Sequence, residues 1–254
     1  MRSPAFAAAL ITAPVAAALL LSLGASPAAA QNKPGTPACG IKDLPLAEGN
    51  WWTYEPVNPS PTGLPAAPLK VEVMSVDKDG KSATITLKET YREVEFEMTA
   101  TCTSAGIVLP AESFFFSGEP GGVSNMTVEN LVHKGTSFPA RLKSGSQWFE
   151  EIRFDVKRQA TEGTKAVHDD AKVELERLAT VAPGQQVVDT GIQTYRSTPI
   201  EFEMRGRALI GEKTQEIAVR ENGVLWIYGK IGVVRTREVS GVEWQLTDTN
   251  LVKK

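Results

Sequence analysis

The sequence predicts an all-β protein, built as one large curved antiparallel sheet or as two tandem, related β halves, with at most a minor helix. Three observations carry that expectation. Apolar and polar residues alternate at the two-residue period of half-buried strands in Glu93 to Met98 (EVEFEM), Trp148 to Val156 (WFEEIRFDV), Ile200 to Met204 (IEFEM) and Val224 to Tyr228 (VLWIY). Turn formers punctuate these runs, as Asp77 to Gly80 does between VEVMSV at 71–76 and ATITLK at 83–88, the pattern of a β-hairpin. Helical periodicity is thin: Val167, Ala171, Leu175 and Leu178 recur at helical spacing, but Val173 and Leu175 alternate with Glu174 and Glu176, which favours turn plus strand over Thr164 to Leu178.

Taken in order, residues 1–30 read as a cleaved export signal. Arg2 supplies the positive end, Ala5 to Leu23 the apolar run, and Ala28 and Ala30 the small residues before a cut after Ala30. An uncleaved anchor is the rival; Pro14, the break at Gly24 to Pro27 and the lack of a following basic cluster count against it. The residues before Cys39 (Thr36, Pro37, Ala38) fit a lipoprotein signal poorly. The expected destination is the periplasm or the extracellular space. Residues 31–40 then form a flexible leader and 41–254 a single β domain, with 41–135 and 136–254 as its halves if the chain is a duplication. Five prolines between Glu55 and Leu69 exclude helix interior and central strand, so this stretch reads as an extended surface loop. The last strands are expected at Gly232 to Val239 and Val242 to Thr247, joined at Ser240 and Gly241.

The case for duplication is a set of short matches in the same order. Leu46, Gly49 and Trp52 match Leu142, Gly145 and Trp148 as L-x-x-G-x-x-W; EFEM at 95–98 matches EFEM at 201–204; and Gly106 to Leu109 parallels Gly223 to Trp226.

Composition excludes more than it identifies. Lys and Arg number 27 against 30 Asp and Glu, for a net charge of −3, and the charges are interspersed, so no nucleic-acid footprint is present. The two cysteines, Cys39 and Cys102, have one possible pairing, and an oxidising compartment favours that disulfide over free thiols. Nucleophile-elbow, zincin and phosphate-loop motifs are missing, and no cofactor is implied. The two histidines, His133 and His168, lack metal-site spacing and read as solvated surface residues. Glu93, Glu95, Glu97, Glu201 and Glu203 read as a solubilising outer face. No catalytic residue and no metal ligand is assigned, although a carboxylate-dependent hydrolase needs only two acids across a cleft.

Aromatic residues offer the better binding candidates. Trp51, Trp52 and Tyr54 open the ordered domain, and Trp148 with Phe149 stands at the matching place later. Exposed, such rings grip a sugar or an acyl chain; buried, they plug the ends of a curved sheet. Phe114, Phe115 and Phe116 pose the same choice. Read as a strand near a sheet edge, the triplet cannot place every ring on one face, so one Phe is expected to point away and mark a hydrophobic mouth; the competing reading buries the strand on both faces.

The leading Pro45, Leu46, Gly49, Trp52 and Tyr54, with a glycine-containing segment from Tyr228 to Val234 near the end, resembles a loose group of uncharacterised bacterial exported β-sheet proteins. That group is similar in architecture to lipoprotein-localisation factors, whose curved half-barrel holds acyl chains. The resemblance implies a half-barrel fold over roughly residues 43–252 and no functional residues. The expected function is an exported, non-catalytic binding protein of the cell envelope with a hydrophobic or amphipathic ligand such as a lipid. The alternatives are a structural or protein-interaction component of the envelope and a carboxylate-dependent hydrolase.

Overall fold

Alternating residues become strands whose inner side chains are dry and whose outer ones are wet. The computed structural model describes residues 36–57, 67–118, 120, 126–162, 165–210, 215–237 and 242–252. The proposed signal, residues 31–35 of the leader, the prolines from Pro59 to Pro65 and the Ser240–Gly241 connection lie outside the described residues.

The strands are β1 Trp51–Pro56, β2 Leu69–Asp79, β3 Ser82–Tyr91, β4 Val94–Thr103, β5 Gly106–Val108, β6 Met126–Gly135, β7 Phe138–Pro139, β8 Gln147–Glu162, β9 Lys165–Val181, β10 Gln186–Asp189, β11 Thr194–Ile210, β12 Gln215–Tyr228, β13 Gly232–Arg237 and β14 Glu243–Thr249. They form one antiparallel sheet in the order β6-β8-β9-β11-β12-β13-β14-β1-β2-β3-β4-β5-β7, with β10 paired to β11 off this path. The sheet is open, yet its two edge strands, β6 and β7, are joined by Thr136 and Ser137 alone. Three residue steps span at most about 11 Å, so the sheet must curl until its edges come close. The segment from 165 to 178 is strand, in keeping with the alternation of Val173 and Leu175.

Hairpin chemistry sets the register. Asp79 pairs with Ser82 around Gly80, whose φ of 58° lies in the left-handed region that glycine adopts freely. Tyr91 pairs with Val94 around Arg92 (φ 50°) and Glu93 (φ 66°). Glu93 is therefore a turn residue rather than the first residue of a strand, and the dry face of β4 is fully buried only from Met98 onward, Val94 being 50 % exposed.

The L-x-x-G-x-x-W match is a true structural recurrence. Gly49 N–H donates to Val73 O (2.9 Å), Asn50 N–H to Ala47 O (2.9 Å) and Val73 N–H to Asn50 O (2.9 Å). At the second copy, Gly145 N–H donates to Val181 O (2.8 Å), Ser146 N–H to Lys143 O (2.9 Å) and Val181 N–H to Ser146 O (2.9 Å). Both glycines adopt positive φ, 79° and 76°. The other two matches fall on different places. EFEM lies on the fourth strand of the β1-β2-β3-β4 run but on the third of β8-β9-β11, and the Gly106 and Gly223 segments lie on β5 and β12.

Phe114 to Phe116 is the main departure in local structure. These residues form a single helical turn, α1 Phe114–Ser117, instead of a strand. Ser113 caps it, its hydroxyl accepting from Phe115 N–H at 3.2 Å, and buried Glu89 accepts from Phe114 N–H at 2.7 Å. Helical geometry spreads three consecutive rings around an axis, so all three are buried under the curved sheet and none points to solvent. Cys39 and Cys102 are joined, with Cα atoms 6.1 Å apart, which ties the short 3-10 turn Ala38–Gly40 to β4.

Candidate functional site

The inner side of the sheet has three zones. The first is an aromatic plug. Trp52 meets Phe115 edge-on with centroids 5.3 Å apart, and Tyr54 packs on Phe114 at 4.5 Å. The polar tips are satisfied: Trp52 Nε1 donates to Ile231 O (2.6 Å) and the Tyr54 hydroxyl to Val233 O (2.8 Å). Burial, with Glu89 nearby, holds the Tyr54 phenol well above its ordinary pKa. Of the sequence candidates, Trp52, Tyr54, Phe114, Phe115 and Phe116 are thus buried in the core. Trp148 is half-buried, its Nε1 donating to Ser137 O at 3.2 Å. Trp51 is half-buried on the opposite side of β1, with the Lys70 ammonium 5.6 Å from its ring centroid.

The second zone is a charged row. Glu150 on β8 and Arg177 on β9 are register partners, and both are buried. Arg177 Nη1 donates to Glu150 Oε1 at 2.7 Å and to Ser137 O at 3.2 Å, and its guanidinium lies between the rings of Phe116 (4.7 Å) and Phe202 (4.8 Å). Ser137 Oγ donates to Glu150 Oε2 at 2.9 Å and accepts from Leu109 N–H at 2.9 Å. His133 Nε2 lies 2.9 Å from Glu150 Oε2. Burial pushes the Glu150 carboxyl up, but His133, Arg177 and Ser137 outweigh it and hold the group below its ordinary value. One carboxylate therefore ties together β6, β8, β9 and the Thr136–Ser137 connection at the seam where the sheet edges approach. His133, expected as a solvated surface residue, has a side chain only 8 % exposed, because its strand position faces Ile152 on the inner side. His168 lies on β9 opposite Gln159 rather than in a polar turn.

The third zone is apolar and half-open. Beyond Ile152 and Leu175 the inner positions are Phe154, Val173 and Ala208 in one row, then Val156, Ala171 and Ile210 in the next. Ile152 is fully buried and Val156 nearly so, while Phe154, Val173, Leu175, Ala171, Ala208 and Ile210 are only half-buried. The outer face of the same strands is a charge ladder, with Glu174 bound by Arg207 (2.8 Å), Glu203 by Arg205 (2.7 Å) and Glu129 by Lys157 (2.7 Å). The outer face is built for water and the inner one is not. Among the described residues there is no group of three or more His, Cys, Asp or Glu able to hold a metal, and no helix long and apolar enough to cross a membrane.

No protein-family model matches the chain, and no curated protein matches it. Three solved structures are similar in fold. One is a protein from Bacteroides fragilis described as exported and of YmcC-like fold, 13 % identical, covering 83 % of this chain and 98 % of its own, with a TM-score of 0.48. Another is a protein from Parabacteroides distasonis described as a lipoprotein, 10 % identical, covering 82 % and 98 %, with a TM-score of 0.47. The third is the hypothetical lipoprotein YmcC from Escherichia coli, 11 % identical, covering 82 % and 86 %, with a TM-score of 0.34.

Proposed function

We propose that this chain is an exported, non-catalytic binding protein of the bacterial cell envelope, and that its ligand is hydrophobic or amphipathic. The observation that carries this reading is the half-open apolar inner face of β8, β9 and β11, set against an outer face on the same strands that carries a ladder of ion pairs. A sheet face of that composition is stable when something apolar covers it. The export-signal pattern of residues 1–30 and the Cys39–Cys102 bridge support an oxidising compartment. A carboxylate-dependent hydrolase would need two acids facing each other across an open groove. Glu150 is engaged by Arg177, His133 and Ser137, and Glu89 receives the α1 backbone.

Binding of the neutral dye N-phenyl-1-naphthylamine tests the reading. Val173→Asp places a charge on the inner face and should weaken dye binding by about tenfold or more, since removing even part of a buried apolar contact of this size costs 1.4 kcal/mol or so. Leu178→Asp, on the outer face of the same strand, should leave it unchanged. Equal binding by both variants and the parent chain would refute an inner-face site.

A protein-contact reading has one observation of its own. Phe149 and Leu178 are register partners on the outer face and are 48 % and 42 % exposed. A partner retained by Val173→Asp and lost by Leu178→Asp would favour that reading.

A further inference from the structure

An open sheet leaves backbone donors and acceptors unpaired at its margins, and natural edges are guarded against chance pairing by brevity, proline, bulges and charge. Both terminal strands here carry such guards. β7 has two residues and ends in Pro139, and β6 is broken by the bulge between Glu129 and Val132 and carries Lys134. The first part of β4 is different. β5 pairs with β4 only at Thr101–Thr103, so residues 94–100 have β3 on one side and, among the described residues, no strand on the other. Their register with β3 is unbroken, and they include no proline, glycine or lysine.

The side chains of this free edge follow the same logic. Val94 and Phe96 share the inner parity of the buried Met98, Ala100 and Cys102, yet Val94 is 50 % exposed and Phe96 half-buried, because no neighbouring strand covers them. The outer positions are acidic. Glu95 and Glu97 are exposed, and Lys88 on β3, 3.3 Å from Glu95, also serves Glu72 at 3.7 Å. These charges select the occupant: antiparallel pairing of two copies through this edge would set glutamates against glutamates, which is unfavourable. A strand with basic outer residues and apolar inner ones would instead pair with the acids and cover Val94 and Phe96. We propose that residues 94–100 of β4 accept an extended basic and apolar segment of an envelope partner as an added strand, its backbone giving affinity and its alternate side chains specificity. The site lies on the sheet edge and goes beyond the inner-face ligand reading.

Fluorescence anisotropy with a labelled, end-capped peptide of about seven residues alternating lysine and valine tests this, with the glutamate and valine peptide as its counterpart. The lysine peptide should bind about tenfold or more tighter, and Glu95→Lys with Glu97→Lys should reverse the preference. Backbone N-methylation separates strand pairing from charge attraction, since alternate residues of a strand direct their N–H groups to opposite sides. Methylating the lysines alone or the valines alone should give one peptide that loses binding about tenfold or more and one that keeps it. Val173→Asp should bind the lysine peptide as the parent chain does, so this site and the inner-face site fail independently. No binding of the lysine peptide, equal effects of the two methylated sets, or a preference that survives the charge reversal would overturn the added-strand site.

Discussion

Glu150→Gln should destabilise the protein by about 3–5 kcal/mol, the usual cost of removing one partner from a buried ion pair. For a chain of this size that is a loss of roughly 6–20 °C in Tm. The amide keeps the shape of the carboxyl but leaves the Arg177 guanidinium, held between Phe116 and Phe202, without its counter-charge. Replacing both members together, Glu150→Leu with Arg177→Met, should cost much less, because no charge is then left buried. The same group sets an acid limit. Its folded pKa lies below its unfolded value, so its contribution is fully present above about pH 4.3 and is lost as the pH falls through the folded value. Urea midpoints at pH 7 and pH 3.5 check this: the gap between the parent chain and Glu150→Gln should narrow in acid. A constant gap would show that the carboxylate charge is not what stabilises the seam.

Replacing Cys39 and Cys102 by alanine together should cost about 2–4 kcal/mol. The bridge spans 63 residues of sequence, for which chain entropy alone gives roughly 4 kcal/mol, and measured effects are often smaller. The loss has a local component, because Cys102 is buried in the core and the bridge holds the Ala38–Gly40 turn against β4. Hydrogen exchange should therefore show opening at residues 36–46 at denaturant concentrations where β9 and β11 remain protected. Uniform exposure across the chain would indicate that the bridge acts only through the unfolded state.

Much of this architecture is legible in the sequence, and what is not has physical causes. Strand alternation identifies β8, β11 and β12 directly, and the pairing of Cys39 with Cys102 follows from there being two cysteines in a chain whose sequence predicts export. The helical turn at Phe114 escapes notice because four residues are too few to show a period; its signals are Ser113 as a cap and Gly118 as a stop, both easily read as loop residues. The charged row was visible in principle. Within WFEEIRFDV, Glu150 shares parity with Trp148, Ile152 and Phe154, and within β9, Arg177 shares parity with Val173, Leu175 and Ala179. An acid and a base each on an apolar face, on adjacent strands, predict a buried pair. That prediction needs the strand pairing, and register between long strands is set by tertiary contacts that the sequence does not display. The repeated EFEM shows the converse hazard, since an alternating strand with an acidic outer face recurs wherever a sheet is half-wet, whether or not the strands are equivalent.

The central claim, that the inner face of β8, β9 and β11 holds an apolar ligand, is most directly tested by native mass spectrometry of the protein isolated from its source without detergent. An adduct of lipid-like mass at about one per chain is expected, released on denaturation and absent from Val173→Asp prepared in the same way. A bare chain mass from the parent protein, or an adduct carried equally by Val173→Asp, would contradict it.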